Sequence, residues 1–142
     1  MADQVFVDTW GWLALGHRRD PHHQEIKSYY QELRRQGARI YTSDYVLDEV
    51  LTLLFRREAF AEAMLFMEGL FASAQQGALV LVRITSERFS AAWALRQRFQ
   101  DKPWISFTDL TSMIIMEELG VREVLTEDDH FTQVGMDLQK VP

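Results

Sequence analysis

The chain is expected to fold as a three-layer α/β/α domain with a short, mainly parallel central sheet, and three observations lead there. Short β-type runs (Val5-Phe6-Val7, Arg39-Ile40-Tyr41-Thr42, Leu79-Val80-Leu81-Val82 and Val124-Leu125-Thr126) alternate with stretches of helical periodicity. That alternation builds parallel sheets through right-handed crossovers. The run at 79–82 is apolar at every position, as in a strand covered on both faces. A length of 142 residues supplies one core rather than two, so residues 1–142 are expected to form a single domain.

The first strand ends at Asp8, and Thr9-Trp10-Gly11-Trp12-Leu13-Ala14-Leu15 follows as a short, largely covered helix that Gly16 can end. Asp20-Pro21 has the form of an N-cap acid followed by proline at the first helical position, so the next helix is expected to open there. It runs to Gln36 and stops at Gly37. After the second strand, Ser43-Asp44 caps a helix over 45–57 with Val46, Val50, Leu53 and Leu54 as its core stripe and Glu49 at the stripe's border. A helix over 58–74 carries Phe60, Met64, Phe66, Met67, Leu70 and Phe71 over too wide an arc for one packed face, which predicts a second partner. Gly77 breaks it. Thr85-Ser86 begins a helix through Phe99, residues 101–104 form a loop, and a helix over 106–119 ends at Gly120. Residues 137–141 can add an edge strand after the fourth.

Composition narrows the chemistry. With no cysteine, disulfides, thiolate metal sites and thiol nucleophiles are excluded, and oxygen ligands favour hard ions such as Mg or Mn. Fifteen basic residues against 21 acidic ones give 15 − 21 = −6, which argues against nucleic-acid binding by bulk charge but not against a local basic rim. Arginines come in pairs at 18–19, 34–35 and 56–57, a form that serves either phosphate contact or a solvated, ion-paired helix face. His22 and His23 are adjacent, so on a helix they point about 100° apart, and with His17 they read as surface histidines rather than a metal site. Trp10 and Trp12 could stack on bases, but burial tendencies favour core or dimer surface. No apolar run could span a bilayer and no leader pattern opens the chain, so a cytoplasmic location is expected.

Four acids fall where a parallel sheet gathers its ligands. Asp8 follows the first strand, Glu49 lies one turn into a capped helix, Asp109 stands at a helix start, and Asp128 comes just past the fourth strand. Converging carboxylates in water-poor surroundings call for a balancing cation. Each also has a plain structural role open to it: Asp8 as a helix cap, Glu49 as a helix-flank acid, Ser106 to Asp109 as a capping box, Asp128 as a turn residue.

Val7-Asp8-Thr9, Asp48-Glu49-Val50-Leu51, Ser106-Phe107-Thr108-Asp109-Leu110 and Thr126-Glu127-Asp128-Asp129-His130-Phe131 resemble, in order and context, the four acidic motifs of PIN-domain nucleases. The resemblance covers nearly the whole chain and is strongest to the small stand-alone VapC-type toxins. It implies a Mg- or Mn-dependent endoribonuclease acting on single-stranded RNA, a homodimer, and a cognate antitoxin protein as partner. Asp8, Glu49, Asp109 and Asp128 would be the acidic catalytic and metal-binding site, with Thr126 a polar accessory and Asp129 a substitute for Asp128. Trp10 departs from the small polar residue often found after the Asp-Thr pair. The alternatives left open are a PIN nuclease of RNA processing or DNA cleavage, and a catalytically silent PIN-fold interaction module.

Overall fold

The computed structural model describes residues 3–142, which form a five-stranded, wholly parallel sheet with six α-helices around it in an α/β/α sandwich. The elements run β1 (Gln4–Val7), α1 (Thr9–Gly16), α2 (His23–Arg35), β2 (Arg39–Ser43), α3 (Asp44–Arg57), α4 (Phe60–Gln75), β3 (Val80–Val82), α5 (Ser86–Arg98), α6 (Phe107–Leu119), β4 (Glu123–Leu125), a 3-10 turn at Asp129–Thr132 and β5 (Gln139–Val141). The sheet order is β3-β2-β1-β4-β5.

β1 is central because all of Val5, Phe6 and Val7 are apolar and wholly buried. Full burial of such side chains contributes about 1.5–3 kcal/mol each. It pairs with β2 through Val5↔Ile40 and with β4 through Phe6↔Val124. From β1 the chain steps outward to β2 and β3, then crosses back to place β4 on the other side of β1. The carboxyl ends of β1 and β4 therefore flank a topological switch point, where open α/β sheets leave a crevice. α1 lies close against this centre: a Cβ at Gly11 would come within 2.7 Å of the Leu125 carbonyl oxygen and 2.9 Å of Val7 Cγ1.

Two local expectations are corrected. Asp20-Pro21 does not open α2; the Asp20 carboxylate accepts from the His22 backbone N–H at 2.8 Å, closing a turn, and the helix starts only at His23. β3 is not covered on both faces either, since it is an edge strand paired only with β2 and Val80 stands 41% exposed. The caps of α3, α5 and α6 follow the sequence: the side chains of Ser43, Thr85 and Ser106 accept from the N–H groups of Val46, Arg88 and Asp109. Gly120 ends α6 with φ 70°, a left-handed conformation suited to glycine. Among the described residues, no helix is long and apolar enough to cross a membrane.

Of the six large apolar residues expected to exceed one packed face, Met67 and Leu70 are buried, Phe66 partly so, and Phe60, Met64 and Phe71 exposed. Several arginines are used within the chain. Arg88 forms a bidentate pair with Glu118, and Arg96 donates to the carbonyl oxygens of Phe99, Lys102 and Ile105, tying down the loop before α6.

Candidate metal centre

At the carboxyl edge of the sheet, β1 delivers Asp8, the second turn of α3 delivers Glu49, the first turn of α6 delivers Asp109, and the turn after β4 delivers Thr126 and Asp128. Hydroxyls fix two of the carboxylates. Thr126 Oγ1 donates to Asp8 Oδ2 at 3.0 Å, and Thr9 Oγ1 donates to Glu49 Oε1 at 2.6 Å. Asp128 is placed by its own backbone, whose N–H reaches Thr126 Oγ1 at 3.0 Å, while its side chain accepts from the His130 N–H at 2.9 Å. The Thr126 hydroxyl thus joins two acids that lie 120 positions apart.

His130 belongs to this cluster and sequence reasoning passed over it. Its Nδ1 lies 2.9 Å from Asp109 Oδ2 and 3.0 Å from Asp128 Oδ2. One ligand atom each from Asp109, Asp128 and His130 falls within 4.8 Å of the others, close enough to share a cation. Asp129 is not part of it. Its carboxylate is exposed and pairs with Lys140 Nζ at 2.6 Å, directed away from the acids.

Charge is poorly balanced inside the crevice. Asp8 is fully enclosed, and its Oδ1 is the buried side-chain oxygen left without a hydrogen-bond partner among the described residues. Burial, with the neighbouring Asp109 and Glu49 charges adding to it, pushes the Asp8 carboxyl up to about 8, against the opposing bonds from the Thr9 N–H and Thr126. Asp109 is also raised, chiefly by burial, although its bond to His130 works the other way. A buried acceptor with nothing to accept from, under the charges of Asp109 and Glu49, together with the meeting of Asp109, Asp128 and His130, fits a divalent cation of the Mg or Mn class.

A pH effect follows for the metal-free protein. The unfolded chain releases the Asp8 proton near 3.8, whereas the folded chain holds it to about 8, so stability should fall as pH rises across that interval and level off above it. Asp8→Asn should remove most of that slope. Urea unfolding in chelator at a series of pH values reads this directly, and a flat profile for the unmutated protein would contradict the burial argument.

The fold and this arrangement of acids place the chain among known proteins. A model of the PIN domain matches residues 5–136, and the chain belongs to the PIN-domain family. Among curated proteins it is similar to the 23S rRNA-specific endonuclease VapC20 of Mycobacterium tuberculosis, in strains CDC 1551 and H37Rv alike, with 30% identity over 134 residues covering 92% of this chain and 94% of the relative. Among solved structures it resembles the crystal structure of M. tuberculosis VapC20, described as a Sarcin-Ricin loop cleaving toxin. The TM-score is 0.77 at 27% identity, covering 92% of this chain and 95% of that one.

Proposed function

We infer that this chain is a divalent-metal-dependent endoribonuclease, the toxin of a toxin-antitoxin pair, with single-stranded or looped RNA, ribosomal RNA included, as its substrate. The observation that carries this reading is the acid-lined sheet edge, where Asp109 and Asp128 meet at His130 and Asp8, with its unpaired buried oxygen, feels the Asp109 and Glu49 charges, in a PIN-domain chain similar over its length to an rRNA endonuclease. When bound, Mg or Mn supplies Lewis-acid polarisation of the scissile phosphate and makes a nearby water more acidic. The chain's own residues do the rest. Asp8, Glu49, Asp109 and Asp128 provide the ligand oxygens; Thr9 and Thr126 hold Glu49 and Asp8 in orientation; His130 holds Asp109 and Asp128. Cleavage of labelled RNA, assayed with and without chelator, tests the reading.

The exposed apolar residues point to protein partners. A groove of about 630 Å³ lies between α2 and α4, lined by Leu15, Leu65 and Phe66, by Lys27 and Arg34, and by Arg18 paired with Glu62. An antitoxin segment with apolar side chains and acidic flanks complements it. A second apolar surface on α5, with Phe89 and Trp93 47% and 55% exposed, suits a homodimer. Because Leu70 is buried and Phe66 packs beside Gly16, the informative surface change is Leu65→Glu, at a residue 65% exposed. It should weaken antitoxin binding about tenfold or more without unfolding the chain, read by titration against the antitoxin. Light scattering over a wide concentration range checks the dimer, and a persistent monomer would remove it.

A further inference from the structure

Beside the acids, on the far side of Thr126, lies a second cleft of about 310 Å³. Its walls come from four places: Trp10 in the first turn of α1, His22 and Ile26 around the start of α2, Thr126 and Glu127 after β4, and Lys140 in β5. Thr126 is the common wall, since its hydroxyl holds Asp8 on one side and its residue lines the cleft on the other. Trp10 follows directly on Thr9, whose hydroxyl holds Glu49. An aromatic ring is therefore anchored two residues after Asp8, partly open to solvent in a protein whose neighbouring Trp12 is wholly buried and bonded to Thr42.

The cleft is ordered rather than a gap between loose side chains. The His22 ring meets Trp10 edge-on with centroids 5.2 Å apart, and its Nε2 lies 3.0 Å from Glu127 Oε2. Lys140 Nζ lies 2.6 Å from Asp129 Oδ1 and 3.4 Å from the Glu127 carbonyl oxygen, which fixes the turn that presents Glu127. The partly buried Trp10 indole thus stands in one wall and the Glu127 carboxylate in another, with Glu25 also at the wall.

We propose that this cleft is a nucleobase subsite, in which Trp10 stacks on the base of a nucleotide flanking the cleaved phosphate and Glu127 accepts hydrogen bonds from that base's exocyclic amine. Stacking on an indole is available to any base, since each has a π-face. Selection comes from the carboxylate. An ionised Glu has only acceptors to offer, so it rewards adenine, cytosine or guanine, which carry an amino group, while uracil offers it only the N3–H, flanked by two carbonyl oxygens that face like charge. His22 and Lys140 act as positioning residues that orient Trp10 and Glu127. The inference rests on the ribonuclease reading and deepens it by naming which face of the site reads the substrate.

The test uses single-stranded RNA oligonucleotides of one mapped cut site, with each of the four bases placed in turn at the nucleotides on either side. Cleavage is measured in Mg, and binding is measured separately by fluorescence anisotropy in Ca. At one flanking position, uracil should be cut at least about tenfold more slowly than the amino-bearing bases. Trp10→Ala should raise KM about tenfold with little change in kcat, and Trp10→Phe should retain most of the affinity. Glu127→Gln, whose amide can donate to uracil, should bring uracil up to the level of the other bases. Trp10→Phe and Glu127→Gln keep the proposal testable should Trp10→Ala fail to fold. Equal KM and an unchanged base pattern in those two variants, with cleavage intact, would overturn the subsite and leave the nuclease reading standing. RNA that binds through Trp10 and Glu127 in Ca but is not cut in Mg would do the reverse, and a chain that neither binds nor cuts would overturn both.

Discussion

Asp109→Asn is expected to lower RNA cleavage by about three orders of magnitude while leaving the circular dichroism spectrum unchanged. The substitution keeps the size and one acceptor oxygen but removes the charge at the point where α6 begins, and Ser106 still caps the helix at the Asp109 N–H. Asp8→Asn should have a similar effect on activity. In metal-free buffer both variants should melt at a higher temperature than the unmutated protein, because a repelling carboxylate has been taken out of a buried cluster. The pairing of lost activity with gained stability separates a ligand role from a helix-cap role. A cap would lose stability on substitution, and cleavage at the parent rate by Asp109→Asn would end the four-acid reading.

Removal of divalent metal should have an effect as large. Chelation should abolish cleavage and Mg or Mn should restore it, while Ca should bind without supporting turnover because its looser coordination suits the reaction poorly. The melting temperature should rise with metal concentration, since a site assembled only in the folded chain stabilises it by about 2.7 kcal/mol at a hundredfold excess over Kd. Metal must displace the proton that Asp8 keeps up to about 8, so affinity should strengthen as pH rises toward that value. Isothermal titration at two pH values reads the proton release directly. Activity surviving exhaustive chelation, or metal binding indifferent to pH, would remove the metal from the mechanism.

The sequence was most legible where a local signal and a global one agreed. Ser43, Thr85 and Ser106 announce helix starts by their own chemistry, and the alternation of short strands with helices requires a parallel sheet whose carboxyl edge carries Asp8, Asp109 and Asp128. It was least legible where neighbouring residues compete for one direction. In Asp128-Asp129-His130, the 3-10 turn sends Asp128 and His130 toward Asp109 and Asp129 out to Lys140. No periodicity distinguishes the three, and Lys140 lies on a strand that pairs only once the chain is folded. The apolar run at 79–82 misled for a related reason. Its composition suits a central strand, but strand order is decided by which crossovers the helices permit, and those leave β3 at the edge. At Asp20-Pro21 two kinds of local chemistry compete, and the side chain closes a turn on His22 before it can cap a helix.

The pairing of β1 with β4 has a consequence for the order of events during synthesis. The hydroxyl that orients Asp8 belongs to a residue 118 positions later in the chain, and Asp128 comes later still. Translation proceeds from the amino end at about 5–20 residues per second, so Asp8 waits several seconds for the residues that complete its surroundings. Until then the nascent chain carries scattered single carboxylates and no cation pocket. The acid-lined crevice is therefore incomplete while the chain is still being made, and any step that needs it waits until nearly the whole polypeptide has emerged.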